Sequence, residues 1–121
     1  MSKSRSQEQR PDTEIEQSAR FIQGLEQGNL DLIRAVPKGD MHNHSWMGGR
    51  LSYVEQRLGV QIQPPPREFP SFADLLHWIL RVFLPHVYEA PQREIAIEAA
   101  FVQAAEDGVT VLALSFGALL E

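Results

Sequence analysis

Apolar residues recur at helical spacing from residue 13 onward, and this pattern predicts a first helix. The positions that follow the period are Ile15, Ala19, Ile22 and Leu25. Thr13 and Glu16 have the spacing of a capping box, and Gly28 is a natural helix stop. Asn29 can cap a second, short helix with the sequence LDLIRA, which Pro37 ends.

The middle of the chain predicts a short strand, a helix and an extended connection. Residues 38 to 44 are predicted to form the strand, which runs into a loop. Ser52 and Glu55 repeat the capping-box spacing and predict a helix that starts there and ends at Gly59. The proline-rich stretch QPPPREFP must then be extended or turning.

Two further helices and a second strand are predicted in the last part of the sequence. Ser71 opens a helix with a broad apolar stripe, and Pro85 is expected to end it. Pro91 suits the first turn of a long helix that reaches about Asp107. Its buried face is predicted from Ile95, Ala99 and Val102. The continuous apolar run VTVLALSF then predicts a strand buried on both faces, as in a parallel sheet.

This order of elements is how an α/β fold begins. Two parallel strands do not make a stable sheet, and a closed barrel of alternating strands and helices needs roughly 250 residues. The chain has 121 residues. We therefore expect an incomplete domain over residues 13 to 121, the N-terminal part of a larger fold. Residues 1 to 12 are polar and are predicted to be a disordered tail.

The composition excludes some classes of binding partner and limits which side chains can bind a metal. The net charge of −5 argues against a nucleic-acid binder. The N-terminus has no apolar core for a secretory signal, and the apolar stretches are too short to span a membrane. A soluble, cytoplasmic protein is expected. The chain has no cysteine, so any metal must be held by histidine, carboxylate or water.

The stretch GDMHNHSW carries the candidate chemistry. His42 and His44 are two residues apart at the end of the first predicted strand, so both side chains can point to one side and reach one ion. Asp40 lies two residues earlier and can orient a ligand or pack below the site. Zinc is the expected metal, with iron or manganese as alternatives. Two imidazoles are an incomplete site, because a catalytic zinc takes three protein ligands and a water.

The stretch AVPKGDMHNHSWMGG resembles the start of the adenosine deaminase-like branch of the metal-dependent amidohydrolases. The stretch IAIEAAFVQAAEDGVTVLALSFG is similar to that family's long helix and second strand, and the resemblance covers roughly residues 30 to 118. It implies the N-terminal fragment of a (β/α)8 TIM barrel, with a helical insertion between strands 1 and 2. It also implies hydrolytic deamination of a purine by a metal-activated water, with His42 and His44 as two metal ligands.

The same resemblance implies that the other ligands and the acid/base glutamate lie on later strands, beyond Glu121. We therefore expect this chain to be inactive by itself. The family usually continues Leu-Asp-Gly after the second histidine, where this chain has Ser45 and Trp46, so adenosine itself is not implied. The expected partner is a small molecule, such as a purine nucleoside. The oligomeric state is left open.

Three residues are candidates for substrate binding, each with a structural alternative. Trp46 can stack on a planar base or close the loop against the helices. Gly49 can let the backbone approach a ligand or form a plain turn. Leu76 lies where the resemblance places an apolar lid, but an apolar helix stripe usually faces a core.

The sequence leaves two other functions open. The chain could be a truncated, non-catalytic remnant or a helical interaction module that keeps the histidines without catalysis. The stretch DMHNHS is also similar to the opening of the histidinol-phosphatase-type phosphoesterases. Those enzymes usually present another histidine motif soon afterwards, whereas here the next histidine is His77.

Overall fold

Two units make up the chain in the computed structural model, with the boundary between Pro37 and Lys38. The structure describes residues 12 to 116. The predicted disordered tail lies outside these residues, apart from Asp12, which is exposed. No helix in the described range is long and apolar enough to cross a membrane.

The first unit contains helices α1 (Glu14–Gln27) and α2 (Leu30–Ala35). The predicted capping box of α1 is confirmed: the Thr13 hydroxyl accepts from the Glu16 backbone N–H at 3.3 Å, and the Glu16 carboxylate accepts from the Thr13 N–H at 2.7 Å. The Glu16 carboxylate accepts hydrogen bonds from the backbone N–H and the hydroxyl of Thr13, and these hold the pKa of Glu16 below its usual value. Gly28 ends α1 in the left-handed conformation, with a φ of 61°.

Close packing joins the two helices of this unit. Gly24 is buried, and a Cβ atom there would lie 2.8 Å from Cγ1 of Ile33. The absence of a side chain at Gly24 therefore allows the helices to approach. Asn29 caps α2 as predicted, since its side-chain oxygen accepts from the N–H groups of Asp31 and Leu32.

The second unit is a parallel pair of strands with helices between them. In chain order it contains β1 (Lys38–His44), α3 (Leu51–Leu58), α4 (Phe72–Trp78), a π-helical segment (Ile79–Phe83), α5 (Leu84–Val87), α6 (Ala90–Glu106) and β2 (Val109–Ser115). The Ser71 side chain caps α4 as predicted, and Pro91 lies in the first turn of α6. The described strands form one two-stranded parallel sheet.

The predicted start of α3 is wrong. The helix begins at Leu51 after Arg50, which makes no side-chain cap bond, so Ser52 lies inside the first turn. Glu55 is used differently from a capping-box residue, because its carboxylate accepts the backbone N–H of Ile62 at 2.8 Å. Ile62 is buried, so water cannot replace this partner for its N–H group, whereas water can bind the N–H groups of an exposed helix end.

The predicted helix end at Pro85 is also wrong, since helical structure continues to Val87. The π-helical segment immediately before this proline widens the helix, and the Leu84 N–H donates to the Ile79 carbonyl. A wider turn relieves the clash that a proline ring makes with the preceding turn of an α-helix. Ile79, Phe83 and Val87 are all buried, so the widened helix keeps one face toward the core.

The core of this unit gathers side chains from the loop after β1, from the connection after α3 and from the helices. Its buried members are Trp46, Val54, Ile62, Ile79, Phe83, Val87, Ala96 and Ala99. Trp46 and Trp78 both stack on Phe83, with ring centroids 6.0 Å and 5.7 Å away. The fully buried positions of α6 are all alanines, and these small side chains let the helix pack closely against the core. Of the three residues predicted for its buried face, Ala99 is buried, while Ile95 and Val102 are half-buried.

The second predicted strand is present, but its predicted burial on both faces is wrong. No residue of β2 is fully buried, and Val111 is 58% exposed. The reason is geometric: β1 pairs with one edge of β2, and a sheet of two strands is too narrow to enclose either face.

Candidate metal site at the end of β1

The imidazole rings of His42 and His44 lie together at the carboxyl end of β1. Both residues are exposed, their ring centroids are 5.6 Å apart, and the ring planes are nearly perpendicular at 86°. A tetrahedral zinc with Zn–N bonds of about 2.0–2.1 Å places two imidazole centres roughly 5 Å apart. The observed separation is therefore compatible with one shared ion.

A bulge in β1 shapes this pair. Asp40 pairs with Leu112 and Asn43 with Leu114, so β1 advances three residues while β2 advances two. The two oxygens of Asp40 bridge the bulge: one accepts the His42 backbone N–H at 3.2 Å, and the other accepts the Asn43 side-chain amide at 3.0 Å. Asp40 thus supports the backbone that carries His42.

The turn after β1 packs closely against the end of β1 that carries the histidines. The Asn43 side-chain oxygen accepts the His44 backbone N–H at 2.8 Å. A Cβ atom on Gly48 would lie 2.5 Å from that same oxygen and 2.7 Å from the His44 carbonyl oxygen, so only glycine allows this approach. Sequence reasoning missed both roles; the only available signal was a glycine a few residues after an asparagine in the strand.

A serine on the neighbouring strand reaches the second histidine. The Ser115 hydroxyl donates to the Asn43 carbonyl at 3.2 Å and lies 3.4 Å from Nδ1 of His44. The Ser45 N–H donates to the Ser115 carbonyl at 3.0 Å, which continues the strand pairing into the turn. No sequence signal pointed to Ser115, because its proximity to His44 depends on the register between two distant strands.

The donor set in the described part of the chain is two imidazoles. Residues 12 to 116 contain no group of three or more histidine, cysteine, aspartate or glutamate side chains that could hold a metal ion. Neutral imidazoles suit zinc and iron, so the residues present fit part of such a site. A catalytic centre would need further ligands in addition to this pair.

The structure places two of the three candidate substrate residues, Trp46 and Gly49, in packing contacts. Trp46 is 5% exposed and its ring stacks on Phe83, so it closes the loop against the helices. A Cβ atom on Gly49 would lie 2.4 Å from the carbonyl carbon of Ala99, which identifies a close approach to α6. Leu76 is half-buried on α4.

A polar cleft of about 220 Å³ lies elsewhere, between α3 and α6. Its lining residues are Arg50, Ser52, Tyr53, Gln56, Ala99, Val102, Gln103 and Glu106. The side chains of Arg50 and Glu106 form an ion pair across the two helices at 2.9 Å. Neither histidine of the pair lines this cleft, so it offers no substrate pocket for a metal at His42 and His44.

A second polar cluster ties the same two helices together. The Tyr53 hydroxyl and the Arg57 guanidinium both donate to one oxygen of Glu98, at 2.7 Å and 2.6 Å. The pKa of Glu98 is lowered, mainly by the hydrogen bond from Tyr53 and to a smaller extent by the one from Arg57. The hydrogen bond to Glu98 raises the pKa of Tyr53. Arg57 and Glu98 are solvent-exposed and Tyr53 is half-buried, and their hydrogen bonds link α3 to α6.

Comparison of the chain with models of known families, with curated proteins and with solved structures gives no match.

Proposed function

We propose that this chain supplies the first two metal ligands, His42 and His44, of an adenosine deaminase-like hydrolase. The observation that carries the proposal is the pair of exposed imidazoles at the carboxyl end of a parallel strand, with centroids 5.6 Å apart. Barrel enzymes place their chemistry at this end of their strands. The proposed metal is zinc, with iron or manganese as alternatives.

The arrangement of β1, the helices and β2 supports the proposed barrel. Consecutive strands that pair in parallel, with helices between them, are the repeating unit of a (β/α)8 fold. In this proposal α3 to α5 form the helical insertion, and α6 is the helix that leads into the second strand. Ligands and an acid/base residue from outside the described residues, or from a partner chain, would complete the site.

The proposed reaction is hydrolytic replacement of an amino group on a purine-like ring. A divalent metal bound there would supply Lewis acidity to activate water for the attack. Within this chain, His42 and His44 would bind the ion through neutral nitrogens, while Asp40 and Asn43 hold the strand in its bulged form. Trp46 would act indirectly, by anchoring the turn that follows the ligands.

A non-catalytic interaction module is the second candidate. It is favoured by the absence of a third ligand among residues 12 to 116 and by the packing roles of Trp46 and Gly49. Under this alternative the histidines bind metal weakly or not at all.

Zinc titration of the chain, in competition with a chelating dye, tests the metal half of the proposal. We expect one ion per chain, and at least a tenfold loss of affinity for either His42→Ala or His44→Ala. His77→Ala is the matched control, because His77 is exposed on α4 and should leave binding unchanged. Equal affinities in all three variants would contradict the assignment.

Ammonia release tests the reaction. The chain alone is expected to show no turnover with purine nucleosides, because the described residues offer two ligands and a catalytic zinc takes three with a water. The protein isolated from its source cells, in whatever form it exists there, should release ammonia from a purine nucleoside or a related amine. Zinc binding without any such activity would favour the interaction module.

A further inference from the structure

The hydroxyl of Ser115, at the end of β2, lies between two groups of β1. Its Oγ is 3.2 Å from the Asn43 carbonyl oxygen and 3.4 Å from Nδ1 of His44. A serine hydroxyl has one proton to donate and lone pairs with which to accept. A carbonyl oxygen can only accept, and it is the nearer of the two groups, so we take the Ser115 proton to point to Asn43. A lone pair of Oγ then faces the His44 ring.

This arrangement favours one of the two neutral forms of the His44 ring. A neutral imidazole has one N–H and one nitrogen lone pair. When Nδ1 faces an acceptor, the favourable tautomer has the proton on Nδ1, and Nε2 keeps the lone pair that a metal needs. Free histidine in water favours the opposite tautomer, so this contact changes an intrinsic preference.

We propose that Ser115 is a positioning residue that holds His44 in the Nδ1–H tautomer, so that Nε2 of His44 is the metal-binding atom. The metal-binding part of this inference rests on the proposed function, whereas the tautomer belongs to the metal-free chain. Hydrogen bonds from a ligating histidine to a neighbouring acceptor commonly set its tautomer and ring orientation in metal sites.

The backbone pairing holds Ser115 in this place. His44 and Ser115 are partners in the register of β1 and β2, and the next N–H, that of Ser45, donates to the Ser115 carbonyl at 3.0 Å. The serine is therefore placed by the strand pairing and does not depend on a flexible loop. In the described structure the His42 ring makes no hydrogen bond. The two proposed ligands therefore differ: the contact with Ser115 holds the His44 ring in one orientation, whereas the His42 ring can rotate to meet an ion.

The chain offers a matched control at the other end of the same strand pair. Thr110 of β2 also donates its hydroxyl to a β1 carbonyl, that of Lys38, at 3.3 Å. Removal of this hydroxyl perturbs the sheet in the same manner without a histidine nearby. Ser115→Thr is the conservative variant, because it keeps a hydroxyl at the position.

Long-range proton–nitrogen NMR spectra of the metal-free chain report the tautomer directly. They should be recorded at about two units above the ordinary histidine pKa of about 6.5, where the imidazole is neutral. The wild-type chain and Ser115→Thr should show His44 as Nδ1–H, and Ser115→Ala should shift it toward Nε2–H. Thr110→Ala should leave His44 unchanged. An Nε2–H tautomer in the wild-type chain would overturn the proposal without reference to any variant.

Zinc affinity then tests the consequence for the metal. Ser115→Ala should bind zinc roughly tenfold or more weakly, as is typical for loss of an outer hydrogen-bond partner. Ser115→Thr and Thr110→Ala should bind as the wild type does. A chain that shows the Nδ1–H tautomer but binds no zinc would overturn the metal role of Ser115 and the proposed function, while the tautomer assignment stands.

Discussion

Replacement of Gly49 with alanine should destabilise the second unit strongly, for a reason unrelated to ligand binding. Gly49 lies in the loop between β1 and α3. A Cβ atom there would be 2.4 Å from the carbonyl carbon and from the Cβ of Ala99, and 2.7 Å from its carbonyl oxygen. Gly49 does not have a positive φ, so the expected cost comes from this collision with α6.

The size of the effect follows from the geometry. Non-bonded carbon atoms are most stable at about 3.5–4.0 Å, so the loop and α6 would have to separate by about 1 Å. Ala99 is 1% exposed and belongs to the core, so this movement also loosens its contacts. Overpacking of a core costs about 1–3 kcal/mol, and we expect about 3 kcal/mol because two of the three contacted atoms belong to the backbone.

Urea unfolding followed by tryptophan fluorescence measures this change, since both tryptophans, Trp46 and Trp78, lie at Phe83. Gly39→Ala is the matched control: its nearest atoms would be Met41 Sδ at 3.7 Å and the Val111 carbonyl oxygen at 4.0 Å, which are ordinary contacts. The control should stay within about 0.5 kcal/mol of wild type, as typical surface substitutions do.

A double variant sharpens the test. Gly49→Ala combined with Ala99→Gly removes the clash between the two Cβ atoms but keeps the clash with the backbone of residue 99, so only part of the stability should return. The reasoning would be refuted if Gly49→Ala were as stable as Gly39→Ala. Full recovery in the double variant would show that the backbone approach is looser than described.

Two further changes test the core and the link between α3 and α6. Trp46→Ala should cost about 3–5 kcal/mol in the same unfolding assay, as for other buried large side chains, whereas Phe101→Ala, at a 54% exposed position, should cost little; similar losses would contradict a core role for Trp46. The pKa of Glu98 is lowered by Tyr53 and then by Arg57, so the folded state binds its proton more weakly than the unfolded state does. Its stabilisation is therefore present above the usual glutamate pKa and is lost as the pH falls, so Glu98→Gln should show less acid destabilisation between about pH 5 and pH 3 than wild type; identical pH dependence would exclude this link.

Much of the secondary structure follows from signals within one or two helical turns. The cap at Thr13 and the stop at Gly28 bound α1, and Ser71 caps α4, as predicted. Both predicted strands are also present. These features could be predicted because a cap or a glycine stop acts on backbone groups only a few residues away.

Features that depend on partners distant in the sequence could not be predicted from such local signals. Glu55 had the correct spacing for a capping box, yet it binds the buried N–H of Ile62. Pro85 had the local signature of a helix end, yet a π-helical segment admits it because Ile79, Phe83 and Val87 together face the core. In both cases burial elsewhere in the fold outweighed the local preference.

The same division applies to the candidate site. The sequence by itself determined that His42 and His44 share a strand and can approach each other, because side chains two residues apart in a strand point to one side. Only the tertiary structure decided that a bulge held by Asp40 shapes the pair and that Ser115 faces His44. Those contacts depend on the register between two strands that are distant in the chain, and packing of the whole unit sets that register.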